Sequence, residues 1–483
     1  MNSPTGSATD TPVAPHTLNL WADGQKVATL GYEALNDRWS LDYDADWVAK
    51  PWAFPLSPAL PFQPSAAGYA VGAVKRFVEN LLPEGRALDI TATTYRVSKS
   101  NIYALISALG TETTGAFRFW RSDEVPPVVA TKPPREVTRQ ELDQRIAERD
   151  QMPLAVWDGK VRMSIAGVQD KLMVYLDRPL GDGGRLFLVE PPLASTHILK
   201  PDPARQVTPH LVVNEHFCMS LAQRMRLPVA EVRIYRTPRP VLVVRRFDRV
   251  VVPGVGEGGA EGASEGTSEG TSEGTNAPTV QRLHIIDACQ ASDLPESYKY
   301  ERNLGSGEHV RNIREGVSFE MLFERVEQTV NKAVARMTLL RWALFQFLIG
   351  NADAHGKNFS FFVRREGLDP APWYDLVSVA QYPGIDHELA MAWGDAFSLD
   401  EVGAFQLADF AQRCGVDRNL LKREATRLAK LATEHAPAQA LANDYIDDDE
   451  RAFAGQLRDF VMAQATRLTR LAGEAAKIRA EFL

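Results

Sequence analysis

The segment LLRWALFQFLIGNADAHGKNFSFFV, residues 339–363, constrains this chain more than any other. An apolar stretch of helical length stops at Gly350, a polar loop carries Asp353, His355, Lys357 and Asn358, and the aromatic run FSFFV follows as a strand. Asp353 and Asn358 have the D-x-x-x-x-N spacing of a kinase catalytic loop. In such a loop the carboxylate takes the proton of the attacking hydroxyl, and the amide oxygen holds a magnesium ion. Lys357 is placed to neutralise charge on a transferred phosphoryl group. Further on, Tyr374-Asp375 offers a second carboxylate for the same cation. Either Asp353 or Asn358 alone would be read as a turn cap. The ordered set of Asp, His, Lys, Asn and a following Asp between apolar segments favours chemistry.

Three upstream stretches fit this reading. Ser164-Ile165-Ala166-Gly167-Val168-Gln169 is a small-residue loop before a strand, able to turn backbone N–H groups toward phosphates. It has one glycine and no Walker pattern, so alone it is weak. Lys200 closes the strand-like HILK, where a kinase keeps its phosphate-binding lysine, and Glu215 on the next helix is a candidate partner for it. Phe247, at the end of VLVVRRFDR, is placed to stack on an adenine or to sit in the core.

The remaining pattern divides the chain. Residues 1–16 lack both the basic start and the apolar core of a secretory signal and read as a loose leader. Asp23-Gly24 between two short apolar runs is a hairpin signal, RWSLDYD continues the β pattern, and helical spacing follows over 71–82 and in SKSNIYALISALG, capped by Ser100 or Asn101. A Pro-rich charged stretch from Asp123 reads as a linker entering a helix. Strands are then expected in VYL, RLFLVE, HILK, VAEVRIY and PVLVVRRF, with a helix over 214–225. Residues 252–279 contain a degenerate Ser-Glu-Gly-Thr repeat, too polar to bury surface against the entropy of ordering, and read as a disordered insertion. After residue 284 the pattern is helical apart from FSFFV. A β-rich lobe joined to a helical lobe is an α+β, bilobal, protein-kinase-like plan with the ligand cleft between the lobes. The boundaries are 17–122 for a small N-terminal α/β domain, 150–283 for the β-rich lobe and 284–483 for the helical lobe.

Charge and cysteine content narrow the function. With 54 Lys and Arg against 62 Asp and Glu, the net charge is −8, which disfavours broad direct nucleic-acid binding. Cys218, Cys289 and Cys414 show neither metal-ligand spacing nor a disulfide framework, and read as buried thiols in a reducing cytoplasm. The longest apolar stretch, 339–350, is too short to cross a bilayer and contains Arg341, so no membrane association is expected.

Together these pieces resemble the HipA family, kinase toxins of bacterial toxin–antitoxin pairs. FPLSPALP, NLLPEGRA and LGTETTGAF resemble the family's N-terminal domain, and SIAGVQDKL, HILKPD, NEHFCMSLA, RRFDR, FLIGNADAHGKNFS and YDLVS its kinase part, in the expected order. The resemblance implies a serine/threonine kinase using ATP and Mg2+. Asp353 would be the base, with Asn358 and Asp375 as metal ligands. Lys200 would contact phosphates, Val244, Arg245 and Phe247 would line the adenine site, and residues 164–169 would cover the phosphates, with His355 and Tyr374 beside the nucleotide. Ser164 would be an autophosphorylated switch that turns the kinase off, because added phosphate is repelled by bound triphosphate. Arg245 stands where the family commonly has an acidic residue. The implied partner is a HipB-like helix-turn-helix antitoxin through which the chain reaches DNA, and the implied acceptor is a translation protein such as an aminoacyl-tRNA synthetase. Two rival readings remain from the residues: a lipid or small-molecule phosphotransferase, since Gly350, Asp353, His355 and Asn358 also fit lipid-kinase loops, and a nucleotide-binding pseudokinase.

Overall fold

Asp23 and Gly24 both adopt left-handed backbone, with φ of 45° and 77°. That turn joins strands His16–Ala22 and Gln25–Glu33 into the expected hairpin. In this computed structural model, which describes residues 16–128, 133–162, 169–203, 207–252 and 279–483, the hairpin belongs to a four-stranded sheet ordered 38–43, 25–33, 16–22, 118–121. Leu18, Leu20 and Leu30 point to the buried face and pack with helices Ala73–Glu79 and Ile102–Leu109. Asn101 caps the second of these, its side chain accepting from the Ala104 N–H at 3.0 Å.

A six-stranded antiparallel sheet follows, ordered 232–236, 240–245, 197–201, 172–176, 186–188, 135–137. Its central strand His197–Pro201 pairs with Pro240–Arg245 on one side and Leu172–Leu176 on the other. Helix Leu211–Arg224 packs beside it, burying Val212, Val213, Phe217 and Leu221. The Pro-rich stretch read as a linker holds the edge strand Arg135–Val137 before its helix, Arg139–Ala147. Three residues are too few to show a period of two.

The last part is built on helices Lys332–Ile349, Ala404–Arg413, Arg418–Ala440 and Asp448–Ala475. It carries more strand than FSFFV alone. Ile285–Asp287, Ser360–Val363 and Leu368–Pro370 form a three-stranded sheet, and Glu388–Trp393 pairs with Ala396–Ser398. Residues 253–278 of the Glu-Gly insertion lie outside the described residues. Its two ends, read from sequence as part of a disordered loop, are strand-paired: Val252 lies opposite Thr279 in an antiparallel ladder. All three cysteines are free and buried.

A buried charge network ties the first unit to the β-rich lobe. Arg246 grips Asp248 with two hydrogen bonds of 2.9 and 2.8 Å, and Arg249 adds a third at 2.6 Å. The Gly115 N–H donates to the same carboxylate at 3.0 Å, and Arg282 donates to the Thr113 carbonyl at 2.7 Å. Glu112 reaches Arg246 and also accepts from Ser195 Oγ at 2.7 Å. Burial alone would raise the Glu112 carboxyl, yet Arg282, Arg249 and Arg246 bring it down to about 2. RRFDR and LGTETTGAF, far apart in the chain, are the two halves of one joint.

Candidate active site

A cavity of about 690 Å³ opens between the units, within the usual range for small-molecule sites. Lys200, on the central strand of the larger sheet, projects into it. Its ammonium donates to Glu215 Oε1 at 2.7 Å and to Asp375 Oδ1 at 2.5 Å. Glu215 is sealed, its side chain 1% exposed, whereas Asp375 opens to the cavity at 40%. Burial pushes Glu215 up to about 7 despite Lys200. For Asp375, Lys200 overcomes burial and holds the carboxyl down to about 2. Asp375 has a φ of 58°, a left-handed conformation that Asp tolerates better than most residues and that aims its carboxylate at the lysine.

The loop at 350–358 is set by how the helix before it ends. Gly350 caps Lys332–Ile349 with a φ of 65°, and a Cβ there would lie 2.6 Å from the Phe460 ring and 2.9 Å from the Ala380 Cβ. Asn351 accepts from the Asp353 N–H at 3.0 Å, and Asn358 Nδ2 donates to the Asp353 carbonyl at 2.8 Å. With its amide nitrogen spent on the loop, Asn358 has its oxygen left for a cation. Most of the loop is buried and His355 half-buried, but Asp353 is exposed. Its Oδ1 accepts from the Tyr300 hydroxyl at 2.7 Å.

Lys357 departs from its expected direction. Its ammonium donates to the Asn80 carbonyl and Oδ1, both at 3.0 Å, and to Asp287 Oδ2 at 2.6 Å, so its three protons are engaged away from a phosphate. The reason is burial: with the side chain only 4% exposed, the ammonium needs fixed acceptors, and Asn80 of the N-terminal unit and Asp287 provide them. Tyr374 braces the same loop, its hydroxyl donating to the Lys357 carbonyl at 2.5 Å and pairing with Ser360 Oγ at 2.6 Å.

Val244, Phe247 and Gln169 line the cavity. Phe247 packs on Tyr374 with ring centroids 5.7 Å apart, and Gln169 donates to the Pro201 carbonyl at 3.4 Å. Arg245 lines the rim with its side chain 63% exposed and pairs with Glu231 at 3.4 Å. His355 sits edge-on to Tyr300, and burial lowers its pKa, which favours the neutral ring. Residues 164–168 of the expected phosphate-covering loop, Ser164 included, lie outside the described residues. Sequence reading missed Asn80, Glu84, Asp287, Lys299 and Tyr300, which also line the cavity. The only signal for the first two was the stretch NLLPEGRA, which by itself says nothing about where it docks.

The donor set suits a nucleotide and magnesium. Among the described residues no group of three His, Cys, Asp or Glu side chains is placed to hold a metal. Asn358 and Asp375 supply two oxygens, and magnesium commonly takes one or two protein ligands and fills the rest with phosphate and water.

The HipA N-terminal domain model matches residues 18–120 and the HipA-like C-terminal domain model residues 163–439. The chain belongs to the HipA family. The serine/threonine-protein kinase toxin HipA of Shewanella oneidensis is 37% identical over 452 residues, covering 93% of this chain and 95% of that protein. Y4mE of Sinorhizobium fredii is 32% identical, covering 89% and 94%. In solved form, the Shewanella HipA, HipB and operator DNA complex contains a chain matching 96% of this one and 100% of its own length, with 36% identity and a TM-score of 0.82. The α+β, two-lobed kinase-like architecture is thus that of a HipA kinase.

Proposed function

We propose that this HipA-family kinase transfers the γ-phosphoryl group of ATP to serine or threonine hydroxyls of a protein, as the toxin of a toxin–antitoxin pair. The observation that carries the reading is the meeting of Lys200, Glu215 and Asp375 in the cavity that also holds Asp353 and Asn358. In protein kinases the lysine–glutamate pair and the metal-binding aspartate must both be in place for transfer. Lys200 would bind phosphate oxygens, Asn358 and Asp375 would hold magnesium, and the metal when bound would neutralise phosphate charge. Asp353 accepts the proton of the attacking hydroxyl as the oxygen–phosphorus bond forms and ADP leaves. Val244 and Phe247 offer an apolar wall for adenine, and Arg245, turned toward Glu231, leaves recognition there to backbone groups.

A HipB-like antitoxin is the proposed partner, with DNA reached through it, by likeness to the Shewanella complex. The proposed acceptor is a cytoplasmic translation protein such as an aminoacyl-tRNA synthetase; among the described residues no helix is long and apolar enough to cross a membrane. Self-inactivation by phosphorylation of Ser164 belongs to the same reading. The test offers labelled ATP and magnesium with cytosolic protein extract or with phosphoinositide vesicles. Labelled phosphoserine or phosphothreonine in protein, lost in Asp353→Asn, is the expected result. Label in lipid alone would favour the lipid phosphotransferase, and tight ATP binding with no transfer at all would favour the pseudokinase.

A further inference from the structure

Asp353 does not stand alone at the mouth of the cavity. Tyr300 donates its hydroxyl proton to Asp353 Oδ1 at 2.7 Å, which leaves Oδ2 to meet an incoming hydroxyl. Burial first, and then the Asp353 charge, raise the Tyr300 pKa, so the phenol stays a donor at any working pH. The segment bearing it is fastened on both sides. The Gly356 N–H, in the catalytic loop, donates to the Lys299 carbonyl at 2.9 Å, and the Glu301 N–H donates to the Ala390 carbonyl at 2.9 Å. A Cβ on Gly316 would meet the Tyr300 carbonyl, so the backbone there is packed without slack.

The fastening continues into the N-terminal unit. Lys299 pairs with Glu84, whose side chain is 8% exposed. The same turn supplies Asn80, which accepts two hydrogen bonds from Lys357 and donates to the Leu294 carbonyl at 2.9 Å. Arg76, one turn earlier, holds Asp293 with a 2.9 Å hydrogen bond. A phenol on a strap this firmly held orients the base and does not act as a gate that swings away.

We propose that Tyr300 is a positioning residue for Asp353, held in place by Glu84 of the N-terminal unit through Lys299. The N-terminal unit is then part of the transfer machinery as well as a docking piece. This rests on the reading of Asp353 as the base.

The test uses the full chain, freed of phosphate beforehand and given Mg2+ and ATP at varied concentration, following ADP release and phosphate incorporation. Wild type is compared with Tyr300→Phe, Glu84→Gln, the double variant and Asp353→Asn. A hydrogen bond to a charged group governs about a tenfold factor or more, so Tyr300→Phe lowers kcat by about tenfold. KM for ATP stays within about twofold, because Tyr300 touches the base and not Lys200. Glu84→Gln keeps an oxygen for Lys299 and lowers kcat by a smaller factor, and the double variant falls no further than Tyr300→Phe, since both changes act through one contact. Wild-type kcat in Tyr300→Phe, a loss confined to KM, or a multiplied loss in the double variant would overturn the proposal. Asp353→Asn separates the two levels: its inactivity beside an unaffected Tyr300→Phe sinks only this inference, while its retention of full activity sinks the assignment of the base.

Discussion

Replacing Lys200 with methionine should produce a stability loss that depends on pH in a way set by Glu215. The ammonium bonds Glu215, which is sealed, and Asp375, which opens to the cavity. After Lys200→Met, Asp375 can be hydrated where it stands, but Glu215 must be neutralised. Wild-type Glu215 keeps its proton up to about pH 7, against 4.5 as the ordinary value. The native state therefore binds the extra proton between those values, and stability falls as pH rises through that window. Above pH 7 the wild type levels off, because the carboxyl is ionised in both folded and unfolded chains. Without Lys200 the native pKa climbs further, so in the variant the fall continues at about 1.4 kcal/mol per pH unit. At pH 6 both proteins hold the Glu215 proton, and the difference is the lost charged hydrogen bonds, about 2 kcal/mol. At pH 8 it should be about 1.4 kcal/mol larger. Urea unfolding at pH 6, 7, 8 and 9 reads this directly, with phosphoryl transfer falling by about 10³-fold at every pH. A stability difference that is flat from pH 6 to 9, or near-normal transfer, would refute the reasoning.

Three further outcomes follow from the same geometry. Asp375→Asn should cut transfer by about 10³-fold and raise the magnesium concentration needed, read by activity titrated with Mg2+ after chelation. Phe247→Ala should raise KM for ATP by about tenfold through loss of an aromatic contact, with kcat less affected in steady-state kinetics. Gly350→Ala, forced into a left-handed conformation against Phe460 and Ala380, should lower stability by about 2–3 kcal/mol in urea unfolding.

The parts of the candidate site that lie close together in the chain are legible from sequence as neighbours, because their spacing alone brings them together. Asp353 and Asn358 sit on one loop whose hydrogen bonds close over those few residues. Lys200 and Glu215 fall on a strand and the helix that follows it, so their 2.7 Å pairing required only that adjacent elements pack. What stayed hidden depends on long-range packing. Nothing local shows that Asn80 and Glu84 reach Lys357 and Lys299, or that Tyr300 meets Asp353. Lys357 shows the same limit: its spacing points to a phosphate, and nothing local shows that its acceptors in the structure are Asn80 of the N-terminal unit and Asp287. RRFDR shows a parallel case, since Phe247 offers its ring to the cavity while Arg246, Asp248 and Arg249 pair their charges in the joint with Glu112 and Gly115. The short strands at 135–137, 285–287 and 368–370 escaped notice because three residues cannot establish a period.

The central claim is that the Asp353 loop transfers phosphate from ATP. Intact and peptide mass spectrometry of the phosphate-free chain, before and after incubation with Mg2+ and ATP, tests it most directly, with Asp353→Asn run in parallel. A gain of phosphate on a serine in wild type, mapping to Ser164 and absent in the variant, is the predicted result. No gain in a wild-type chain that measurably binds ATP, or an equal gain in the variant, would contradict it.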